Sequence, residues 1–113
     1  MADSREEAVK LRTSAKRICT SRRKLTNDAF DKNEDKDLMH VRAESFLEGL
    51  AKLRLTCEGV LAFDEESGGE DELADQGYIE KVESDNYESE KKCQKFLKDV
   101  KDDKKKMKGI RNI

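Results

Sequence analysis

Between Met39 and Phe63, apolar residues return in steps of three and four: Met39, Ala43, Phe46, Leu50, Leu53, Cys57 and Val60. This is a seam of coiled-coil type, widened on one flank by Leu47 and Leu61. A helix with so complete a stripe needs partners in water, and the stretches on either side supply two. Upstream, Ala8, Leu11, Ala15, Ile18, Leu25 and Ala29 repeat at similar spacing. Arg22 interrupts that row, and its guanidinium is expected to reach the edge of the seam. The alanines make the row shallow, so a neighbouring backbone can come close. Downstream, the seam reads Ile79, Val82, Asn86, Ser89, Cys93, Phe96, Val100 and Met107, with Leu73, Tyr78, Tyr87 and Leu97 beside it.

The boundaries follow from local chemistry. Ser4-Arg5-Glu6-Glu7 has capping-box spacing, a hydroxyl followed three residues on by a carboxylate. Asp31 to Asp37 is wholly polar and suits a short turn, with Asn33 or Asp35 placed to cap the second helix. Gly68-Gly69 is the strongest breaker, and Ser67 or Asp71 is placed to cap the third helix. Gly49 and Gly59 fall inside the second helix, each costing about 1 kcal/mol against alanine, and either permits close packing. The pattern therefore predicts an all-α fold with helices over about 4–31, 36–65 and 71–107. Two short connections make it an up-down-up antiparallel three-helix bundle.

Composition refines this picture. Charged residues make up 44% of the 113 and apolar residues 35%. Such a ratio suits disorder, but apolar residues gathered on stripes suit long, thin helices. There is no proline to forbid them. The length suits one helical-bundle domain over residues 1–113, standing alone or as the N-terminal part of a larger protein.

The net charge of −2 conceals segregation. Seven basic and no acidic residues lie between Ala8 and Asn27; twelve acidic residues and only Lys81 opposing them lie between Asp64 and Glu90. From Lys91 onward ten Lys/Arg face three Asp. Blocks like these call for partners inside or outside the molecule. In an up-down-up bundle the first and third helices run parallel, so the basic start of one lies beside the acidic start of the other. The basic end of helix 3 would then lie near the acidic first turn.

Cys19, Cys57 and Cys93 each sit in a helical pattern, which predicts buried thiols in a reducing, cytoplasmic setting. Neither a signal peptide nor an apolar run of membrane-spanning length is visible, so no membrane role is expected. His40 is the only histidine, and no nucleophile–base set shows spacing logic, so no enzyme activity and no small-molecule substrate are expected. Neither CxxC nor an EF-hand loop occurs, and no metal or other cofactor is expected.

Two partner surfaces are expected. Asn86 to Ser89 is a polar break in the helix 3 seam; a buried Asn can fix register, but the simpler expectation is that Tyr78, Asn86, Tyr87 and Ser89 form a protein contact. Lys10, Arg12, Lys16, Arg17, Arg22, Arg23 and Lys24 form a basic helix able to neutralise RNA phosphates, although aromatics for base stacking are missing there. Pairing of this helix with helix 3 is the favoured alternative.

The order of features resembles the helical N-terminal Gag region of BEL/Pao-type LTR retrotransposons. The similarity rests on Arg22-Arg23-Lys24-Leu25-Thr26-Asn27, the Leu-rich second helix ending Phe63-Asp64-Glu65-Glu66, and an acidic third helix containing Tyr87-Glu88. Arg23, Leu25, Thr26 and the Tyr87 region match that family's steps; Lys24 stands where Arg is typical, and no zinc knuckle or aspartic-protease motif is present. The resemblance implies a structural role in particle assembly. With or without it, the expectation is a helical protein–protein interaction module used in self-association or assembly. The alternatives are a small adaptor or folding cofactor holding one client protein, and an RNA-binding bundle.

Overall fold

The computed structural model describes residues 4–66 and 72–111, with side chains at 4–66 and 73–101. It consists of α1 (Arg5–Asp31), α2 (Lys36–Glu66) and α3 (Glu72–Arg111), with no strand among the described residues. The expected three-helix bundle is present, and α3 runs on past residue 107. The Gly68-Gly69 turn, its capping candidates Ser67 and Asp71, and the side chains of Met107 and of Lys104 to Lys108 lie outside the described residues.

Ser4 caps α1, its Oγ accepting from the Glu7 amide at 3.3 Å. The C-terminus closes by a Schellman arrangement. The Glu34 amide reaches back to Ala29 O at 3.0 Å and the Asn33 amide to Phe30 O at 3.2 Å. Asn33 takes the left-handed conformation this needs, with φ of 52°. Asn is one of the few residues other than Gly that enters this region readily. Asn33 thus ends α1, and the chain turns straight into α2.

α2 lies at the centre. Every residue of its expected seam, Met39 through Val60, is buried. Contacts on α1 rise in number as those on α2 fall: Arg5 meets Asp64, Arg22 meets the Ser45 carbonyl, and Thr26 meets the Arg42 carbonyl. On α3 they rise together: Arg12 meets Asp75, Arg23 meets Asn86, and the Phe30 and Phe96 rings meet edge to face at 5.4 Å. The helices therefore run up, down and up. α1 packs closely along α2, because Gly49 presents no side chain. A Cβ built there would lie 3.6 Å from the Cys19 Cα and 3.2 Å from Arg22 Cδ. Gly59 has no such role, with nothing within 4 Å.

The expected seam of α1 is corrected. Ala8 and Ala29 are buried, but Leu11, Ile18 and Leu25 are 50, 48 and 47% exposed. Arg12, Cys19 and Thr26, each one position later, are buried instead. The reason is that α1 sits in the corner between α2 and α3, and α3 offers it polar partners. Arg12 Nη1 donates to Asp75 at 2.8 Å and its guanidinium stacks 4.0 Å from the Tyr78 ring. The Cys19 thiol meets Asn86 Oδ1 at 3.7 Å. Thr26 Oγ1 lies 2.7 Å from Arg22 O and 3.0 Å from Arg42 O. These bonds offset the cost of burying polar groups and turn the Leu-Ile-Leu row outward.

Candidate interaction surface

The outward turn of α1 creates the main surface feature. Leu11, Ile18 and Leu25 stand seven residues apart, two helical turns each, and so form one line. Beside them α2 exposes Val41 and Leu55, at 63 and 67%. Together they border a furrow on the side of the α1–α2 pair away from α3. Its wider section, about 390 Å³, has Leu11, Ala15, Ile18, Gly49 and Leu55 on its walls. Its narrower section, about 160 Å³, lies between Leu25 and Thr26 on α1 and Leu38 and Val41 on α2. Arg22 separates the two, pinned by its 3.0 Å bond to the Ser45 carbonyl. Five aliphatic side chains half to two-thirds exposed in one strip exceed the scattered exposure expected of a folded surface.

The residues expected at a contact on α3 divide. Asn86 is buried, so it is corrected from a surface contact to an internal tie, the role in fixing register also foreseen for it. Its Nδ2 donates to Val82 O at 2.7 Å while its Oδ1 accepts from Arg23 at 3.0 Å. Tyr78 is half-buried beneath Arg12, with Lys16 Nζ 5.1 Å from its ring. Ser89 is half-buried, 3.4 Å from Asn27 Oδ1. Tyr87 alone is exposed, with Lys91 Nζ 4.6 Å from its ring. Tyr87 and Ser89 border a shallow polar depression with Arg23 and Asn27.

The basic residues of α1 are likewise not one face. Arg12 and Arg23 spend their guanidinium groups on α3, Arg22 is pinned across the α1–α2 furrow to Ser45, and Lys16 lies over Tyr78. Lys10, Arg17 and Lys24 remain exposed. The expected pairing of the α1 and α3 starts is present. Arg5 bridges Asp64 at 2.7 Å and Asp75 at 2.6 Å, so one cluster ties together the starts of α1 and α3 and the end of α2. Burial works against the Asp75 charge, but hydrogen bonds with Asp64, Arg12 and Arg5 outweigh it and hold its pKa at about 2. The bond to Asp75, and then burial, push Asp64 upward. The second expected pairing, of the end of α3 with the first turn, rests largely on side chains outside those described.

Reactive chemistry is muted. All three thiols are free and buried. Burial raises the pKa of each, that of Cys93 to about 11, which suppresses the thiolate. His40 Nε2 lies 3.1 Å from Glu44 of the next turn. Among the described residues no three His, Cys, Asp or Glu side chains are grouped to hold a metal ion, and no helix is long and apolar enough to cross a membrane. Compared with models of protein families, with curated proteins and with solved structures, the chain finds no match.

Proposed function

We propose that this protein is a non-enzymatic helical protein–protein interaction module, and that the strip between α1 and α2 is its docking surface. The observation that carries this is the line Leu11, Ile18 and Leu25 facing outward beside Val41 and Leu55. Covering each of the five would yield roughly 1 kcal/mol before association costs. The bundle itself gains little from these side chains, so a partner is what gives their placement a purpose. An assembly role of the kind the Gag-like resemblance implies uses the same property, and Leu25 and Tyr87, both from the matched steps, are exposed. The three free thiols suit a reducing compartment.

The test is photo-crosslinking with a reactive residue at position 18 or 55, and at position 95 on α3 as control. Each adduct is identified, and the identified protein is purified and titrated against the chain. Adducts at 18 and 55, with binding that Ile18→Glu abolishes, support the proposal. A purified partner that binds Ile18→Glu as well as the natural chain refutes it, as do adducts at position 95 alone.

A further inference from the structure

The two edges of the strip carry opposite charge. On α1, Lys10, Arg17 and Lys24 stand one position before Leu11, Ile18 and Leu25, on the flank away from the buried Arg12, Cys19 and Thr26, and all three are exposed. Lys10 has only a 3.9 Å approach to Glu6 of its own helix. On α2, Ser45, Lys52 and Thr56 border the furrow. Glu44 and Glu58, three residues on from Val41 and Leu55, stand on the other flank, and both are exposed. Glu44 has His40 of its own helix at 3.1 Å. Glu48 lies in line with Val41 and Leu55 and holds Lys52 at 3.1 Å. The strip is therefore basic along its α1 edge and acidic along its α2 edge. Its apolar floor has Leu11 and Leu55 at one end and Leu25 and Val41 at the other.

These edges complement each other across two copies. The ties between the helices fix which residues are level: Arg5 with Asp64, Cys19 with Gly49, Arg22 with Ser45 and Thr26 with Arg42. Counting along the antiparallel helices from these ties puts Lys10 level with Glu58, Arg17 with Ala51 and Lys24 with Glu44. We infer that the strip takes the strip of a second copy, related by a two-fold axis parallel to the helices, so that α1 of each copy lies antiparallel on α2 of the other. Such an axis preserves level and lays outer edge on outer edge. Lys10 then meets Glu58 and Lys24 meets Glu44, each twice, and Arg17 has Glu48 of the other copy within a turn. Leu11 and Leu25 pack near the levels of Leu55 and Val41. A two-fold axis across the helices would instead lay α1 on α1, with the row of Lys10, Arg17 and Lys24 against itself. The interface is about 21 Å long from Leu11 to Leu25, at 1.5 Å per residue, and two helices wide, which is small for a dimer. Its middle layer is polar, with the Glu48–Lys52 pair of each copy and the pinned Arg22. Dissociation is therefore expected at about 10–100 µM, and the dilute chain is a monomer. This rests on the strip being the docking surface and names what docks.

Sedimentation equilibrium of the whole chain, from about 1 µM to about 1 mM, is the test. A monomer–dimer equilibrium is expected, and it should weaken as salt rises. Ile18→Ser is expected to weaken it about tenfold or more. Lys10→Glu/Lys24→Glu sets acid against acid, and Glu44→Lys/Glu58→Lys sets base against base, so each variant alone is expected to lose the dimer. An equimolar mixture of the two variants should regain it, because every edge then meets its opposite. So should the chain carrying all four changes, whose net charge is that of the natural chain. All the changed residues are exposed, and circular dichroism establishes that each variant is folded. No dimer up to about 1 mM, a dimer that Ile18→Ser leaves intact, or a fourfold variant that stays monomeric overturns the inference. A Lys10→Glu/Lys24→Glu chain that pairs more tightly with the natural chain than with the Glu44→Lys/Glu58→Lys chain overturns it too, because α1 then lies on α1. A monomer whose positions 18 and 55 crosslink to a different protein sinks this inference alone and leaves the strip a docking surface. Adducts at position 95 alone sink both.

Discussion

Replacing Asp75 with Asn tests the clasp that joins the three helices. Asp75 takes Arg12 at 2.8 Å and Arg5 at 2.6 Å on its two oxygens. Both the Arg12 and Asp75 side chains are nearly out of solvent, at 11 and 6% exposure. Asparagine keeps the shape but strips Arg12 of its counter-charge in a buried place. Breaking such a pair from one side costs about 3–5 kcal/mol. The lower end applies, because Arg5 retains Asp64 and is a third exposed. A loss of about 3 kcal/mol is a large share of the roughly 5–15 kcal/mol that holds a domain together. Urea unfolding at neutral pH measures it. The double change Arg12→Met/Asp75→Leu removes both charges and is expected to recover a good part of the loss.

The pH dependence provides a second readout. The folded pKa of Asp75, about 2, lies below the ordinary 3.8, so its contribution is full above about 4 and is lost as pH falls through about 2. Asp64 has the opposite sign: its raised pKa favours the protonated form, so its contribution is present at low pH and lost as pH rises through the folded value. The natural chain should lose stability between about pH 4 and 2 more steeply than Asp75→Asn. A cost below about 1 kcal/mol, or parallel acid limbs for the two proteins, would falsify the clasp.

Three further outcomes are expected. Ile18→Ser should shift stability by no more than about 1 kcal/mol, whereas Leu50→Ala, from the centre of α2, should cost about 2–5 kcal/mol; chemical unfolding that ranks them the other way would restore the Leu-Ile-Leu row to the core. Gly77→Ala, with open space around the new Cβ, should stabilise the bundle by about 0.5–1 kcal/mol, visible as a rise in Tm; an unchanged or lower Tm counts against a helical, unobstructed site there. Under native conditions the three thiols should react with a disulfide reagent only through opening of the fold, at rates that rise with denaturant. Prompt reaction of Cys93 in the absence of denaturant would contradict its burial.

How much of this was legible in the sequence differs by helix. The seam of α2 is legible because the helix lies between two neighbours and its buried positions from Met39 to Val60 are themselves apolar, whereas the buried Asp64 near its end is not. α3 is legible where Val82 and Cys93 mark its inner side, whereas Asn86, expected at a partner contact, is buried and bonded within the bundle. α1 misled because periodicity counts greasy residues, and its buried row is Arg12, Cys19 and Thr26. What makes those positions buriable is Asp75, Asn86 and the Arg42 carbonyl, none of them local to α1. The only trace in the sequence was the parallel heptad one step along, each member able to make a hydrogen bond. The exposed strip is hidden for the same reason, since Leu11, Ile18 and Leu25 belong to the row expected inside. The charge blocks were the better guide: the basic start of α1 does meet the acidic start of α3.

The spacing of the helices also decides how the molecule comes apart. α1 and α2 touch backbone to backbone at Gly49 and Cys19, so parting them opens a dry seam along its length. α3 adds to the apolar contacts of Val82 and Cys93 the long cationic limbs of Arg5, Arg12 and Arg23, and the fork of Arg54 gripping Glu83 and Glu90 two turns apart. Water slips between such moorings more readily than between interlocked small residues. Opening is therefore expected to begin with α3 swinging away from a hairpin that holds, with amide exchange fastest along α3 and slowest where α1 crosses Gly49.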